Sequence, residues 1–354
     1  MPLYDYGNTR LRARISKLFS FPTLESFAYL TSLDSLISQL SKTHYQDAIQ
    51  IALTYAHGYG CISDALRRKL IEIQDNLRRF YDPVIWEKIK TIFLREDVKN
   101  IKSIIRGIIH KTQPRIIINS LSPLGVIPEQ YTTRIAQAKN IQDAIDRMSV
   151  YQLEFAPSLL ALKGSDRFAS SAELERVLEF WYFSKIEQIL KGSGENIDLL
   201  RKANMIEIDI TNINTLLRYV DAPDSPETAG STIEHFLIEG GSYSPKYLIN
   251  LSHTNLISDV IKKLAGKKYQ SYLMEALNCY QETQLLSEFE NQLRIYALRW
   301  LSLLPKLSPF GVGVPMGYVA LKKSEIRNIR WIAKGILSGF EPKFIVENIE
   351  RIQK

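Results

Sequence analysis

Apolar positions recur along this chain at the spacing of a helix face, and one such face is written three times. The segment from Asp97 to Arg106 is echoed by Asp209 to Arg218 and by Glu325 to Lys334, in the pattern acid-x-x-Asn-Ile-x-x-apolar-apolar-base. After each Asn the apolar residues keep one register: Ile101, Ile104, Ile105 and Ile108, then Ile213, Leu216, Leu217 and Val220, then Ile329, Ile332, Ala333 and Ile336. At about 100° per residue these positions form one stripe, the acid falls inside it, the Asn lies at its edge and the base points away. Three helices are predicted, each with two polar groups on or beside a core face.

A carboxylate on a core face is costly unless hydrogen-bonded, so Asp97, Asp209 and Glu325 are expected to cap a helix N-terminus or tie one helix to the next. Asn100, Asn212 and Asn328 stand with them as structural motif residues. The copies lie about a third of the chain apart, which predicts a threefold internal repeat over 1–120, 121–234 and 235–354. In the third copy Glu325 replaces Asp and Ala333 replaces a larger apolar residue, so looser packing is expected there.

Helices are predicted between the copies as well. Tyr4 to Phe19 reads as an amphipathic helix with Arg10, Arg12 and Arg14 on its polar side, ended by Pro22, after which Thr23 can cap the next helix. Further helices are expected from Ser63 to Phe80, from Pro83, near Tyr131 to Arg147, Ala172 to Leu190, Glu195 to Val220, Ser258 to Leu264, Tyr269 to Leu277 and Gln281 to Leu303. Pro128, Pro245 and Pro342 each follow a copy and are read as equivalent helix starts. The clearest loop is 221–230, and the only strand candidates are Arg115 to Ile118 and Leu153 to Leu162.

Composition narrows the classes. A 354-residue chain with 45% apolar content is a globular protein, and its net charge of +7 suggests acidic partners. Cys61 and Cys279 stand far apart and imply no disulfide framework, which fits a reducing compartment. No apolar run reaches membrane-spanning length, so a soluble chain without its own span is expected. The five histidines lack zinc-like spacing, and Gly311-Val312-Gly313-Val314-Pro315-Met316-Gly317 misplaces its last glycine for a Rossmann loop and lacks the Lys-Ser/Thr of a P-loop. It reads as a tight helix–helix connection. No nucleophile setting is found, and the aromatic run Phe180-Trp181-Tyr182-Phe183 reads as core.

The three motif helices, together with Asn8-Thr9-Arg10-Leu11-Arg12-Ala13-Arg14, Phe236-Leu237-Ile238-Glu239-Gly240-Gly241 and Pro309-Phe310-Gly311-Val312-Gly313-Val314 with Tyr318, resemble one family over almost the whole chain. It is the C subunit of archaeal and bacterial A/V-type rotary ATPases, the counterpart of the d subunit of eukaryotic vacuolar ATPases. The resemblance implies an all-α fold of three similar domains in a pseudo-threefold arrangement forming a funnel. It also implies a non-catalytic rotor subunit without cofactor or metal, one copy per complex, on the cytoplasmic face of the membrane. Such a subunit joins the central shaft of subunits D and F to the membrane proteolipid ring. Arg106, Arg218 and Lys334 are candidate shaft contacts by position. A basic helical-repeat module that binds nucleic acid is the alternative from another class.

Overall fold

The computed structural model describes residues 4–163, 170–222, 232–254, 256–264 and 268–351, and among them the chain is all-α. Most of the loop expected at 221–230 lies outside the described residues. Two compact units form, one from residues 1–89 and 298–354 and the other from residues 90–297.

In the first unit, α1 (Asp5–Ile15) precedes four helices: α2 (Phe21–Ala28), α3 (Leu33–Leu40), α4 (Gln46–Leu53) and α5 (Gly58–Phe80). The short α6 (Pro83–Ile89) follows. Ser20, rather than Thr23, caps α2 by accepting from the Thr23 amide, and Pro22 sits inside the first turn, where its missing N–H costs nothing. Leu36, Leu40, Ile49, Ile62, Leu66 and Ile73 are fully buried, so the stripes of α3 to α5 face one another as a core.

The second unit opens on α7 (Thr91–Ile109), the first motif helix, and α8 (Pro114–Ser120). Then come α9 (Glu129–Ala136), α10 (Ile141–Val150), α11 (Ala156–Leu160), α12 (Ser171–Ile189) and the second motif helix, α13 (Glu195–Asp221). A 3-10 turn at Ile233–Phe236 leads to α14 (Pro245–Ser252), α15 (Ile257–Leu264) and α16 (Gln270–Thr283). The two strand candidates are helical: α8 covers Arg115 to Ile118 and α11 lies within 153–162. Their apolar residues are too few for periodicity to decide between the two states.

The long α17 (Ser287–Leu307) leads back to the first unit, whose last elements are the third motif helix, α18 (Gly313–Leu337), and α19 (Pro342–Glu347). Gly317 lets α18 lie directly on Pro305 and the Leu301 carbonyl, and Gly313 does the same against Leu304 and Ser308. The glycine-rich stretch is therefore a close helix–helix connection.

All three motif helices bury the predicted stripe. Residues one, four and five places after each Asn are buried, the eighth is half-buried, and the base at the sixth is exposed. The third copy is as deeply buried as the others. Ala333 is fully buried, Gly335 sits against the Ile345 side chain, and nearly all of α18 from Gly313 to Ile329 is buried.

Each motif helix packs on the bundle that follows it in sequence: α7 on α9, α10 and α12, and α13 on α14 and α15. The third, α18, instead packs on α2, α3 and α5 from the first part of the sequence.

Candidate functional site: three acid and asparagine sockets

The motif acids and asparagines do the same work in each copy. Asn100 donates through its amide nitrogen to the Ser122 carbonyl (2.9 Å) and accepts from the Ser122 amide (2.8 Å). Asn212 makes this pair of bonds with Ile238 (2.7 and 2.9 Å), and Asn328 makes it with Glu350 (3.1 and 2.9 Å). A primary amide carries a donor and an acceptor in the arrangement of a peptide group, so each Asn stands in for one rung of a ladder and fastens the returning chain to the helix. The fastened residues lie 22, 26 and 22 positions after the Asn.

The acid, one turn earlier, takes the backbone that starts the next bundle. Asp97 accepts from the amides of Val126 (2.8 Å) and Ile127 (3.1 Å), just before α9. Asp209 accepts from the Ser242 amide (2.5 Å) and hydroxyl (2.7 Å), just before α14. Glu325 accepts from the Phe19 amide (2.6 Å), just before α2, although 306 positions separate them. The three bundles therefore begin in equivalent ways, the first of them capped by the third motif helix. Pro342 is accordingly no partner of Pro128 and Pro245. It begins α19, as Pro114 begins α8, and in both places a buried Ile one turn on (Ile117, Ile345) lies against a motif-helix glycine, Gly107 or Gly335.

Backbone must come very close to each carboxylate. A Cβ at Gly125 would strike Asp97 Oδ1, and one at Gly241 would lie 2.7 Å from Asp209 Oδ1. These are the positions where only glycine leaves room.

The sockets differ in charge. Around Asp209 the Lys268 ammonium (3.0 Å) and the Tyr269 hydroxyl (2.6 Å) complete the shell. Glu325, one methylene longer, reaches Lys322 (2.5 Å), the Tyr45 hydroxyl (2.8 Å) and His44 Nε2 (3.1 Å). Burial opposes its charge, yet the His44 hydrogen bond and the Lys322 ammonium hold the carboxyl down at about 2. Burial also lowers the Lys322 pKa, which Glu325 only partly offsets. A small cavity of about 30 Å³ lined by Phe19, Leu24, Glu325, Asn328 and Glu350 adjoins this socket, room for a single water rather than a substrate.

Asp97 has no cation in its socket among the described residues. Burial pushes it up to about 7 against the pull of its two backbone donors, with Glu96 adding to the rise. The folded chain thus binds a proton here more tightly than the unfolded chain. Asp97's contribution to stability is greatest below the ordinary aspartate range and declines as pH rises through about 7. A carboxyl NMR titration is expected to place its midpoint near 7 while Glu325 stays ionised down to about pH 2. A midpoint for Asp97 below about 4, the ordinary aspartate value, would contradict this.

The outward bases are largely occupied. Arg106 grips Glu175 through Nε and Nη2 (both 2.5 Å), and Arg218 Nη2 reaches Glu290 (2.5 Å), in each case on the last helix of the bundle that the motif helix joins. No such pair engages Lys334 among the described residues. Along α7 the ladder continues inward, where Lys102 meets Glu179 (2.5 Å) and Arg95 meets Glu179 and Glu207. Arg95 also lies over the rings of Tyr182 and Phe183, which are buried, whereas Phe180 of the same run is exposed, so only part of the aromatic run serves the core.

Among the described residues no group of His, Cys, Asp or Glu side chains could hold a metal ion, and no helix is long and apolar enough to cross a membrane. The three sockets are hydrogen-bonding joints between helices, with no arrangement suited to a reaction.

A family profile described as ATP synthase (C/AC39) subunit matches residues 7–348. Among curated relatives, a protein of Methanocaldococcus jannaschii, named as the C subunit of an A-type ATP synthase, is 24% identical over 97% of this chain and 85% of its own length. Proteins of the same name from Pyrococcus abyssi and Thermococcus gammatolerans are 25% and 26% identical, each over 98% of this chain and about nine-tenths of their own. With a profile spanning nearly every described element, the chain belongs to the ATP synthase (C/AC39) subunit family.

Proposed function

We propose that this chain, a non-catalytic subunit of an A-type ATP synthase, is the connector of the rotor. It would receive the tip of the shaft made by subunits D and F on one side and rest on the proteolipid ring on the other, one copy per complex, at the cytoplasmic face of the membrane. Torque would pass through it between ATP chemistry and ion movement. Three helical repeats around a pseudo-threefold axis, forming a funnel, are the architecture this reading requires.

The observation that supports it best is the set of three sockets. A coupler under load needs joints that do not yield, and here each joint is a buried carboxylate and a buried amide spending their bonds on backbone. Co-purification from native membranes is the direct test: the shaft and the proteolipid ring should accompany this chain. Recovery without them, or with nucleic acid in their place, would overturn the reading.

For the shaft contact, Arg106, Arg218 and Lys334 remain the proposed positions. Because two of them already hold internal pairs, Lys334→Glu is the informative variant. Weakened recovery of D and F with an unchanged thermal midpoint is expected, and unchanged recovery after reversal of all three would remove the assignment.

A further inference from the structure

One face of the first unit carries arginines that make no ion pair among the described residues, and that face is rigid. Asn8 is buried and donates to the carbonyls of Pro309 (3.3 Å) and Gly311 (3.1 Å), while the Tyr81 hydroxyl donates to its Oδ1 (2.6 Å). Gly7 lies flat against the Tyr81 ring, where any Cβ would collide. Helix α1 is thereby fixed on α5 and α18 with its polar side outward.

On that side Arg10 and Arg14, one turn apart, are layered on rings. The Arg10 guanidinium lies over Tyr6 (4.6 Å) and Phe80 (5.5 Å), and that of Arg14 lies over Phe80 (4.7 Å). Arg14 and Arg79 both donate to Asn76 Oδ1 (3.3 Å each), a neutral acceptor that orients them without neutralising them. Beside them Arg12 donates to the Pro309 carbonyl (3.0 Å), and the two carbonyls held by Asn8 flank Phe310, which is turned out and 78% exposed. Tyr6 is 59% exposed.

We infer that this face is a docking surface for an acidic segment of another protein subunit. A guanidinium stacked on a ring keeps its N–H edge free and in plane, which suits the two oxygens of a carboxylate, and little side-chain entropy is left to lose on binding. Arginine with exposed Tyr and Phe is also the composition of interface hot spots. An anionic membrane would be met as well by mobile lysines, whereas the cations fixed here, Arg10, Arg12, Arg14 and Arg79, are all arginine. The inference rests on the chain working inside a multi-subunit complex.

The test uses the full chain with Arg10→Glu and Arg14→Glu together, and Arg10→Lys and Arg14→Lys as the conservative pair. Circular dichroism and the thermal midpoint serve as controls for folding. Binding is measured to poly-L-glutamate, to phosphatidylglycerol vesicles and to single-stranded DNA at two salt concentrations, and recovery with the complex is measured from membranes. The reversed pair is expected to lose roughly a hundredfold in affinity for poly-L-glutamate, about tenfold for each lost carboxylate contact. The lysine pair should fall between the two, and recovery with the complex should drop for the reversed pair alone. Equal poly-L-glutamate binding by wild type and the reversed pair, or a loss confined to vesicles or DNA, overturns the inference. Wild type that fails to travel with the complex but still shows the poly-L-glutamate effect would instead count against the rotor reading.

Discussion

Replacing Glu325 with alanine is expected to lower stability by about 3–5 kcal/mol, because it strands the Lys322 ammonium in a buried site and leaves the Phe19 amide and the Tyr45 hydroxyl without their acceptor. Urea unfolding of the full chain gives the magnitude. Hydrogen exchange gives the place: the amides that begin α2 should lose protection while those that begin α9 and α14 keep theirs. The same carboxylate predicts an acid limb. Its folded pKa of about 2 lies below the ordinary glutamate value of 4.5, so its contribution is complete above pH 4.5 and is lost as pH falls through about 2. Across that window the wild type should lose roughly 3 kcal/mol that the variant never had. Exchange Lys322→Met together with Glu325→Met should recover much of the stability while abolishing the acid limb, since an apolar pair can fill such a site. An alanine variant as stable as wild type at pH 7 would show that the closure carries no load.

The second large effect is expected at Asn212. Its side chain satisfies both the carbonyl and the amide of Ile238, all three groups being buried. Alanine would leave two backbone groups without partners, at about 1–3 kcal/mol each, so a loss of roughly 2–5 kcal/mol is expected. Asn212→Asp separates shape from chemistry. It keeps the acceptor for the Ile238 amide but sets a carboxylate oxygen against the Ile238 carbonyl, and should be no more stable than alanine at pH 7. Thermal unfolding of the three proteins in parallel decides it; an aspartate variant matching wild type would mean that the amide donor is dispensable.

How much of this is visible in the sequence follows from where the bonding partners lie. The helical stripe of each motif is a matter of side-chain polarity, so the buried faces of α7, α13 and α18 can be read directly, as can the outward base. That Asp97, Asp209 and Glu325 tie one helix to the next is also legible, because a carboxylate inside an apolar stripe needs donors. Which donors they take is not, since Val126, Ile127 and Phe19 answer with backbone amides, which no side-chain pattern records. Pairing Pro342 with Pro128 and Pro245 fails for the same reason, as a proline marks a helix start without saying what the helix is fastened to. A usable signal is present in Gly107 and Gly335, each followed ten places on by the Ile that rests against it. Arg106 and Arg218 read as outward bases available to a shaft because their internal partners, Glu175 and Glu290, lie some seventy positions away in helices whose register against them only the fold supplies.

Synthesis imposes an order on these closures. When the first four-helix bundle leaves the ribosome, the carboxylate that will hold its leading amide, 306 positions downstream of that amide, has not been translated, whereas the bundles after α7 and α13 meet theirs within 29 and 33. Closing a loop over that span costs more entropy, and comes later, than closing the other two. The earliest bundle made must therefore wait longest for completion, and a nascent chain stalled before residue 325 should leave it open to proteases while the middle of the protein is already resistant.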